Sequence, residues 1–482
     1  MVDAENNQRM QGAFHQDPQV LAPPPPLLMK LVVGGAILFA IGVLAGVIIF
    51  QQMLRPGQQQ RVINSLPFMA AFLPSRPDPG DTVPTPLPRS LSVITVEDLW
   101  SSKEEPSPLP TTTATGTAII ALPTVAPTLT APVALTATPE FVATAIPIST
   151  AMPESIEAPP AVWPERPVAA RLNGFTPVQQ TWNNCGPATM TMALSYFGWT
   201  GTQEIAASFL KPEPEDKNVT PPEMVALVNE QTDVRAVTRA GGTLELVKTL
   251  IARGFPIIIS IGFMPEGEDW LGHYRLIVGY DDARQAVFAY DSYLGTGDSL
   301  QGMVISYEQL EADWRPFNQN FISLYRPSQE SEIRELLGDL VDPAAAAVHA
   351  LDKAREESRE NPRDGFAWFN MGTALVALER YEEAAVAYDE ARRAGLPWRM
   401  LWYQFGPYEA YFNTGRYDDV LSLVQVNLNN GGAYVEETYY WQGRVYAAQG
   451  QMQDAEQAFR NALQANARYT AAQQALATLS GA

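Results

Sequence analysis

Cysteine is almost absent from this 482-residue chain: Cys185 stands alone, and histidine occurs three times. A single thiol excludes an internal disulfide, so cysteine usage says nothing about redox compartment. One cysteine and three scattered histidines also offer no ligand pair at zinc spacing, so no zinc is expected; a nucleophilic thiol needs neither a metal nor an organic cofactor. Positive charge is scarce as well. With 32 Lys and Arg against 53 Asp and Glu, the formal net charge is −21. No basic cluster interrupts that balance, which argues against a nucleic-acid-binding surface.

What is present falls into blocks, and the length alone suggests more than one domain. Residues 1–30 are polar, then proline-rich at Pro23–Pro26, and read as an unstructured tail. Residues 31–50, LVVGGAILFAIGVLAGVIIF, form an uncharged apolar run of about 20 residues, the length that crosses a hydrocarbon core of roughly 30 Å. The run lacks the short core and small-residue cleavage site of a removable signal, and predicts a retained single-pass transmembrane helix. Gly42 and Gly46 make a GxxxG pair, which glycine's frequency in membrane helices accounts for without dimerisation. Residues 51–167 hold long stretches of Pro, Thr, Ala and Ser with few charges, too little apolar surface to fold, and predict a disordered semi-stiff stalk. Flanking charge (Lys30 against Arg55 and Arg61) leans mildly against a cytoplasmic N-terminus. Thr/Pro stalks, however, usually hold domains off an outer surface, and the domains beyond are expected to be extracytoplasmic.

From residue 168 to 328 the pattern is that of a folded α+β domain: helical segments first, then antiparallel strands. Cys185 opens the run CGPATMTMALSYFG, in which Met190, Ala193, Leu194 and Phe197 recur on one helical face. Pro187 suits the first turn, where a missing N–H costs nothing. The thiol therefore sits at the positive end of a helix dipole, where its thiolate is favoured. A glutamine just upstream, Gln179 or Gln180, could offer an amide N–H to an oxyanion. A lone cysteine is more often a buried hydrophobe, so the reading depends on a partner. His15 precedes the membrane run and His349 falls beyond the domain, which leaves His273 at the mouth of a strand. A symmetric hairpin about the Asp281-Asp282-Ala283 turn puts His273 opposite Asp291, within reach of a shared hydrogen bond. Asp281 and Asp282 themselves suit the turn.

The blocks Gln-x5-Cys-Gly-Pro-Ala, Gly-His-Tyr-x-x-x-Val-Gly-Tyr-Asp and Tyr-Asp-Ser resemble the bacteriocin-processing, double-glycine-type cysteine peptidases in their stand-alone branch. The resemblance spans about a third of the chain and implies a papain-like fold. It implies Cys185 as nucleophile, His273 as general base and acid, Asp291 as orienting carboxylate and Gln179 as oxyanion donor. Two departures stand out: Ser292 follows Asp291 where many relatives have proline, and the transporter domains of the processing enzymes are missing.

Residues 340–480 repeat with a period near 35. Trp368, Gly372, Leu375, Tyr381, Ala384, Tyr388 and Ala391 recur as Tyr439, Gly443, Tyr446, Gly450, Ala455, Phe459 and Ala462, with a looser copy at Tyr411, Gly415, Tyr417 and Val420. The spacing resembles the tetratricopeptide repeat, an all-α solenoid whose small residues admit aromatic neighbours. Trp402 and Tyr440 read accordingly as core. By analogy the repeats bind a partner protein or peptide segment. The sequence thus reads as a membrane-anchored cysteine peptidase acting on peptide or protein, with repeats that recruit substrate or partner. The competing readings are a thiol amidase or acyltransferase on the same scaffold, and a catalytically silent scaffold built on the repeats.

Overall fold

In the computed structural model, residues 26–52, 62, 66–72, 82–88, 94–101, 165–265 and 269–481 are described. Residues 1–25 of the predicted tail, most of the stalk and His15 lie outside them; the tail's last residues, 26–30, are helical and not unstructured as expected. A helix, Pro26–Gln52, covers the predicted span, although part of its side chains falls outside the described set. Among the described residues no helix is long and apolar enough to cross a membrane.

The α+β domain is built on seven antiparallel strands: β1 (Ala169–Arg171), β2 (Arg235–Arg239), β3 (Ile257–Phe263), β4 (Leu271–Asp281), β5 (Ala286–Asp291), β6 (Met303–Ser306) and β7 (Phe321–Tyr325). Their order is β2-β7-β3-β4-β5-β6, with β1 added to β4. Both faces of this sheet are covered. On one, Met190 and Leu194 of the helix Cys185–Ser195 meet Tyr274, Leu276 and Ile322. On the other, Leu246, Leu250 and Trp314 cover Ile257, Ile277 and Phe321. Local chemistry marks the helix ends. Thr220 and Glu223 form a capping box at the head of Pro221–Gln231. Thr243 accepts the Leu246 N–H at the head of Leu244–Ala252.

The β4–β5 hairpin departs from the symmetric count. Its connection runs over Asp282–Gln285, with Gln285 at φ 50°, and pairs Asp281 with Ala286. A bulge between Ile277 and Gly279 shifts the register once more, so Asp291 lies opposite Arg275 and not His273. The error is two residues, and because side chains alternate with period 2, His273 remains on the face that Asp291 shares.

After the helix Glu330–Leu337, which closes the sheet domain, come eight α-helices: Pro343–Glu360, Gly365–Ala377, Tyr381–Ala394, Gly406–Asn413, Tyr417–Asn429, Glu436–Ala448, Met452–Ala465 and Thr470–Gly481. The small residues do what the repeat pattern requires. A Cβ at Gly372 would lie 2.7 Å from the Tyr388 ring, and one at Gly443 would lie 2.6 Å from Phe459.

Two features were not expected from the sequence. Within the predicted stalk, Thr82–Pro88 and the helix Val96–Ser101 pack onto the repeats, with Val83 and Leu99 buried in their core. Thr95 and Asp98 start that helix by exchanging hydrogen bonds of 2.8 and 3.2 Å. The repeats in turn are fused to the sheet domain through a broad seam. Trp270 and Phe317 pack among repeat aromatics, Trp270 stacking on Phe317 at 6.0 Å and meeting Tyr403 at 6.2 Å. Arg399 pairs with Asp269 at 2.9 Å, and Gln404 donates to the Pro316 carbonyl at 2.9 Å. Trp402 is thus a seam residue, facing Lys217 of the sheet domain at 5.8 Å.

The seam also buries carboxyl groups. Asp216, Glu436 and Glu437 are at most 5% exposed, and each has one oxygen without a hydrogen-bond partner. Burial, with repulsion from Glu223, pushes Glu436 up to about 7; Asn466 and Lys211 act weakly against it. Asp216 and Glu437 are raised well above the usual range for the same reason. A carboxyl raised on folding binds its proton in the folded state, so its contribution is whole below the ordinary value near 4.5 and is lost as pH rises through about 7. Glu436→Gln is therefore expected to flatten the fall in urea midpoint over that window. An unchanged slope would place the linked proton elsewhere.

Candidate active site

Cys185 is the first residue of its helix, preceded by Asn184, whose side chain makes no capping bond and instead donates to Gln203 Oε1 at 2.9 Å. The residue as a whole is half-buried. Burial opposes its ionisation most strongly, yet a hydrogen bond and charge from His273, the charge of Lys211 and the Gly186 N–H outweigh that and lower its pKa. Lys211 is 4% exposed and held by the carbonyls of Asn183 and Asp216, at 2.5 and 2.8 Å. No sequence signal marked this lysine, because its effect depends on a tertiary approach.

His273 uses Nε2 on Asp291 Oδ1, at 2.9 Å. The other ring nitrogen, Nδ1, is then the one left for the thiol. Burial works against protonation of the ring, but the charge and hydrogen bond of Asp291, aided by Cys185, push it up to about 9. Asp291 is 1% exposed. Burial disfavours its charge too, and His273, Arg275 and the Leu294 N–H overcome this, holding the carboxyl well below the usual range. Its Oδ1 also accepts the N–H groups of Tyr293 and Leu294, at 2.8 and 2.9 Å. The structure thus holds His273 on Asp291 through a diagonal rather than a facing strand pair, with Cys185 near enough for the ring to act on it.

Both glutamines reach the loop that follows Asp291. Gln179 donates Nε2 to the Tyr293 carbonyl at 3.1 Å, and an amide NH2 has a second N–H for an oxyanion. Gln180 is tied to Ser292 twice: its N–H donates to the Ser292 carbonyl at 2.8 Å, and its Oε1 accepts the Ser292 hydroxyl at 2.9 Å. The serine that departs from the family pattern therefore anchors the glutamine loop to the acid loop. Asp281 makes the turn, accepting the Ala283 N–H at 3.0 Å, while Asp282 binds Arg166 and Lys248. Among the described residues no group of three or more His, Cys, Asp and Glu side chains could hold a metal ion.

Arg275 was missed by the sequence reading. Its Nε donates to Asp291 Oδ2 at 3.1 Å and its Nη1 to Asp313 Oδ2 at 2.9 Å, with the guanidinium 3% exposed. Removing one member of a buried charge network leaves the others uncompensated, at about 3–5 kcal/mol. Arg275→Leu is expected to lose about that much in urea unfolding, and Asp313→Asn clearly less. Equal losses would mean that the ion pair with Asp291 is not the costly element.

The repeats border this site. A Cβ at Gly272, next to His273, would lie 2.7 Å from the Tyr403 ring, so that strand position is open to the ring only because it is glycine. Burial raises the Tyr403 hydroxyl, and the charge of Cys185 adds to the rise. Lys217 lies over Trp182, at 5.5 Å, as well as over Trp402.

Residues 172–321 match the family model described as Peptidase_C39 like family, and residues 436–469 match a tetratricopeptide repeat model. Comparison with curated proteins yields no match. Among solved structures, the chain is similar to a putative C39-like peptidase from Bacillus anthracis, at 18% identity and TM-score 0.28, over 33% of this chain and 98% of that one. It is similar to a double glycine motif protease from an AMS/PCAT transporter in complex with the leader peptide, at 18% identity and TM-score 0.23, over 32% and 92% of the two chains. A third is MamA 41-end from Desulfovibrio magneticus RS-1, at 17% identity and TM-score 0.25, over 32% and 81%. The chain thus carries a Peptidase_C39-like domain followed by tetratricopeptide repeats.

Proposed function

We propose that the protein is a cysteine peptidase that hydrolyses peptide bonds through Cys185, His273, Asp291 and Gln179. The observation that carries this reading is one imidazole shared between a helix-start thiol and a buried carboxylate. The thiolate of Cys185 attacks the scissile carbonyl, and the oxyanion is held by the Gln179 amide and the N–H groups at the helix start. His273, as imidazolium, protonates the leaving amine. The neutral ring then takes a proton from the water that attacks the thioester, and the acid product leaves with the thiolate restored. Asp291 keeps Nε2 protonated and Nδ1 turned to the sulfur. The peptide substrate enters beside Tyr403 and Trp182, so the repeats help hold it.

The uncharged run 31–50 supports a membrane anchor, and the Thr/Pro segment after it supports an extracytoplasmic position for both domains. Protease shaving of intact cells should remove the C-terminal domains; their survival would reverse the orientation. For the chemistry, the full chain is expected to cut members of a mixed peptide library, read by mass spectrometry, and Cys185→Ser to cut none. A chain that cleaves nothing, and whose thiol is alkylated only near its free pKa of about 8.5, would overturn the peptidase reading.

A further inference from the structure

The stretch Thr82–Leu87, TVPTPL, lies extended along the repeat helices. Thr82 bridges to Pro397, and the Val83 N–H donates to the Leu396 carbonyl at 2.8 Å. Val83 is 3% exposed and sits in the repeat core. Arg392 then reads two successive carbonyls, with Nε on Pro84 at 2.7 Å and Nη2 on Thr85 at 3.1 Å. Its Nη1 pairs with Asp419 Oδ1 at 3.0 Å, and the same oxygen accepts the Leu87 N–H at 3.3 Å. Arg416 holds Asp419 from behind, Nη2 to Oδ2 at 3.0 Å, and pairs with Asp389 as well. Farther along, Trp100 stacks on Trp368 at 5.7 Å, and the Leu99 carbonyl accepts from Arg355 at 3.0 Å.

Apart from the Val83 anchor, these contacts to residues 82–87 address the main chain. That suits a polyproline-like strand, whose carbonyls have no internal partners and whose prolines carry no N–H to satisfy. A buried guanidinium is costly unless its donors are committed, and Arg392 commits two of its nitrogens to a segment some 300 residues away in sequence. Apart from Trp368 at the head of Gly365–Ala377 and the Leu396–Pro397 turn, the surface lies on Pro343–Glu360, Tyr381–Ala394 and Tyr417–Asn429, every second helix of the stack. The intervening helices Gly365–Ala377 and Glu436–Ala448 meet the sheet domain, through Asn370 to the Arg315 carbonyl at 2.8 Å and Glu437 to Asn218 at 3.5 Å.

We propose that this surface is a receptor for an extended, proline-punctuated peptide read through its backbone with one apolar anchor, and that Thr82–Leu87 is its occupant in cis. A partner protein that presents such a segment exchanges for it and releases Thr82–Pro88 and the helix Val96–Ser101 from the repeats. This proposal does not depend on the peptidase reading.

The test uses the full chain and a fluorescent synthetic peptide of residues 80–101. The tethered copy competes at an effective concentration on the order of millimolar. The peptide is therefore expected to bind a Val83→Asp, Leu99→Asp chain at least about tenfold more tightly than the wild-type chain. N-methylation of the peptide at Leu87 removes the N–H that Asp419 accepts, and is expected to weaken binding about tenfold, the worth of a hydrogen bond to a charged group. Binding that ignores the methyl group, or no saturable binding to a folded double variant, overturns the proposal. If the double variant does not fold, hydrogen exchange on the wild-type chain decides. Saturating peptide should speed exchange at the Val83 and Leu87 amides and the methylated peptide should not; unchanged rates with both also overturn it.

Discussion

His273→Ala is expected to slow peptide hydrolysis by about 10³- to 10⁴-fold and to move alkylation of Cys185 to a pKa of about 8.5 or above. Burial alone would raise the thiol; the imidazole bond and charge come first among the groups that reverse it. Without the ring, Lys211 and the Gly186 N–H remain to favour the thiolate against that burial, and the leaving amine has no acid. Iodoacetamide alkylation across pH reads the first effect and single-turnover cleavage the second. Identical alkylation profiles in the two chains would mean that the ring does not activate the sulfur, whatever happens to cleavage.

The same ion pair sets a pH window. Cys185 ionises below its ordinary value while His273 keeps its proton up to about 9, so thiolate and imidazolium coexist between the two. Activity is expected to fall as pH rises through about 9, when the acid is lost; the two steps belong to the coupled pair. Asp291→Asn keeps an acceptor for Nε2 but removes the negative charge that does most to raise the ring. Its alkaline limb is expected at lower pH. A limb that does not move would show that Asp291 orients the ring without tuning it.

What the sequence made legible here was local. Cys185 in front of a proline-started helix, and a strand-end histidine with an acid one hairpin away, are short-range patterns, and they meet in space. The hairpin register was not legible, because the turn Asp282–Gln285 has no glycine to mark its centre, and Gly279, the strand glycine that marks the bulge at Ile277–Gly279, does not say how far the register moves. An even-numbered error left the chemistry intact; a single-residue slip would have sent Asp291 to the other face. Arg275, Asp313 and Lys211 escaped because a buried charge is defined by partners distant in sequence. Trp270 and Tyr403 escaped for a related reason: periodicity shows that a residue is buried but not against which domain. In the stalk, averaging over a long Pro/Thr stretch hid Val83, Leu99 and Trp100, three apolar side chains that pack onto the repeats.

A chain ending at residue 328 is expected to lose cooperative unfolding and activity together, because the sheet domain is completed by the repeats. Trp270 is 7% exposed in the whole chain and belongs to the repeat core, and Phe317 stacks on it. Aromatic side chains bury about 150–250 Å² each. Uncovering even half of two such rings, at about 25 cal/mol per Å², costs on the order of 5 kcal/mol, comparable with the whole stability of a typical domain. The truncation also frees Asp269 from Arg399 and opens the buried surroundings of Lys211, the cation that helps ionise Cys185. Tyr403→Ala in the full chain separates the two consequences. It removes the ring that lies on Gly272 beside His273, while the repeats stay attached through the remaining seam. Deleting a largely buried aromatic costs about 3–5 kcal/mol, and kcat/KM for peptide cleavage is expected to fall as the ring leaves the border of the site. A 165–328 fragment that melts cooperatively at the full chain's temperature and cleaves peptide at its rate would reduce the seam to a passive contact.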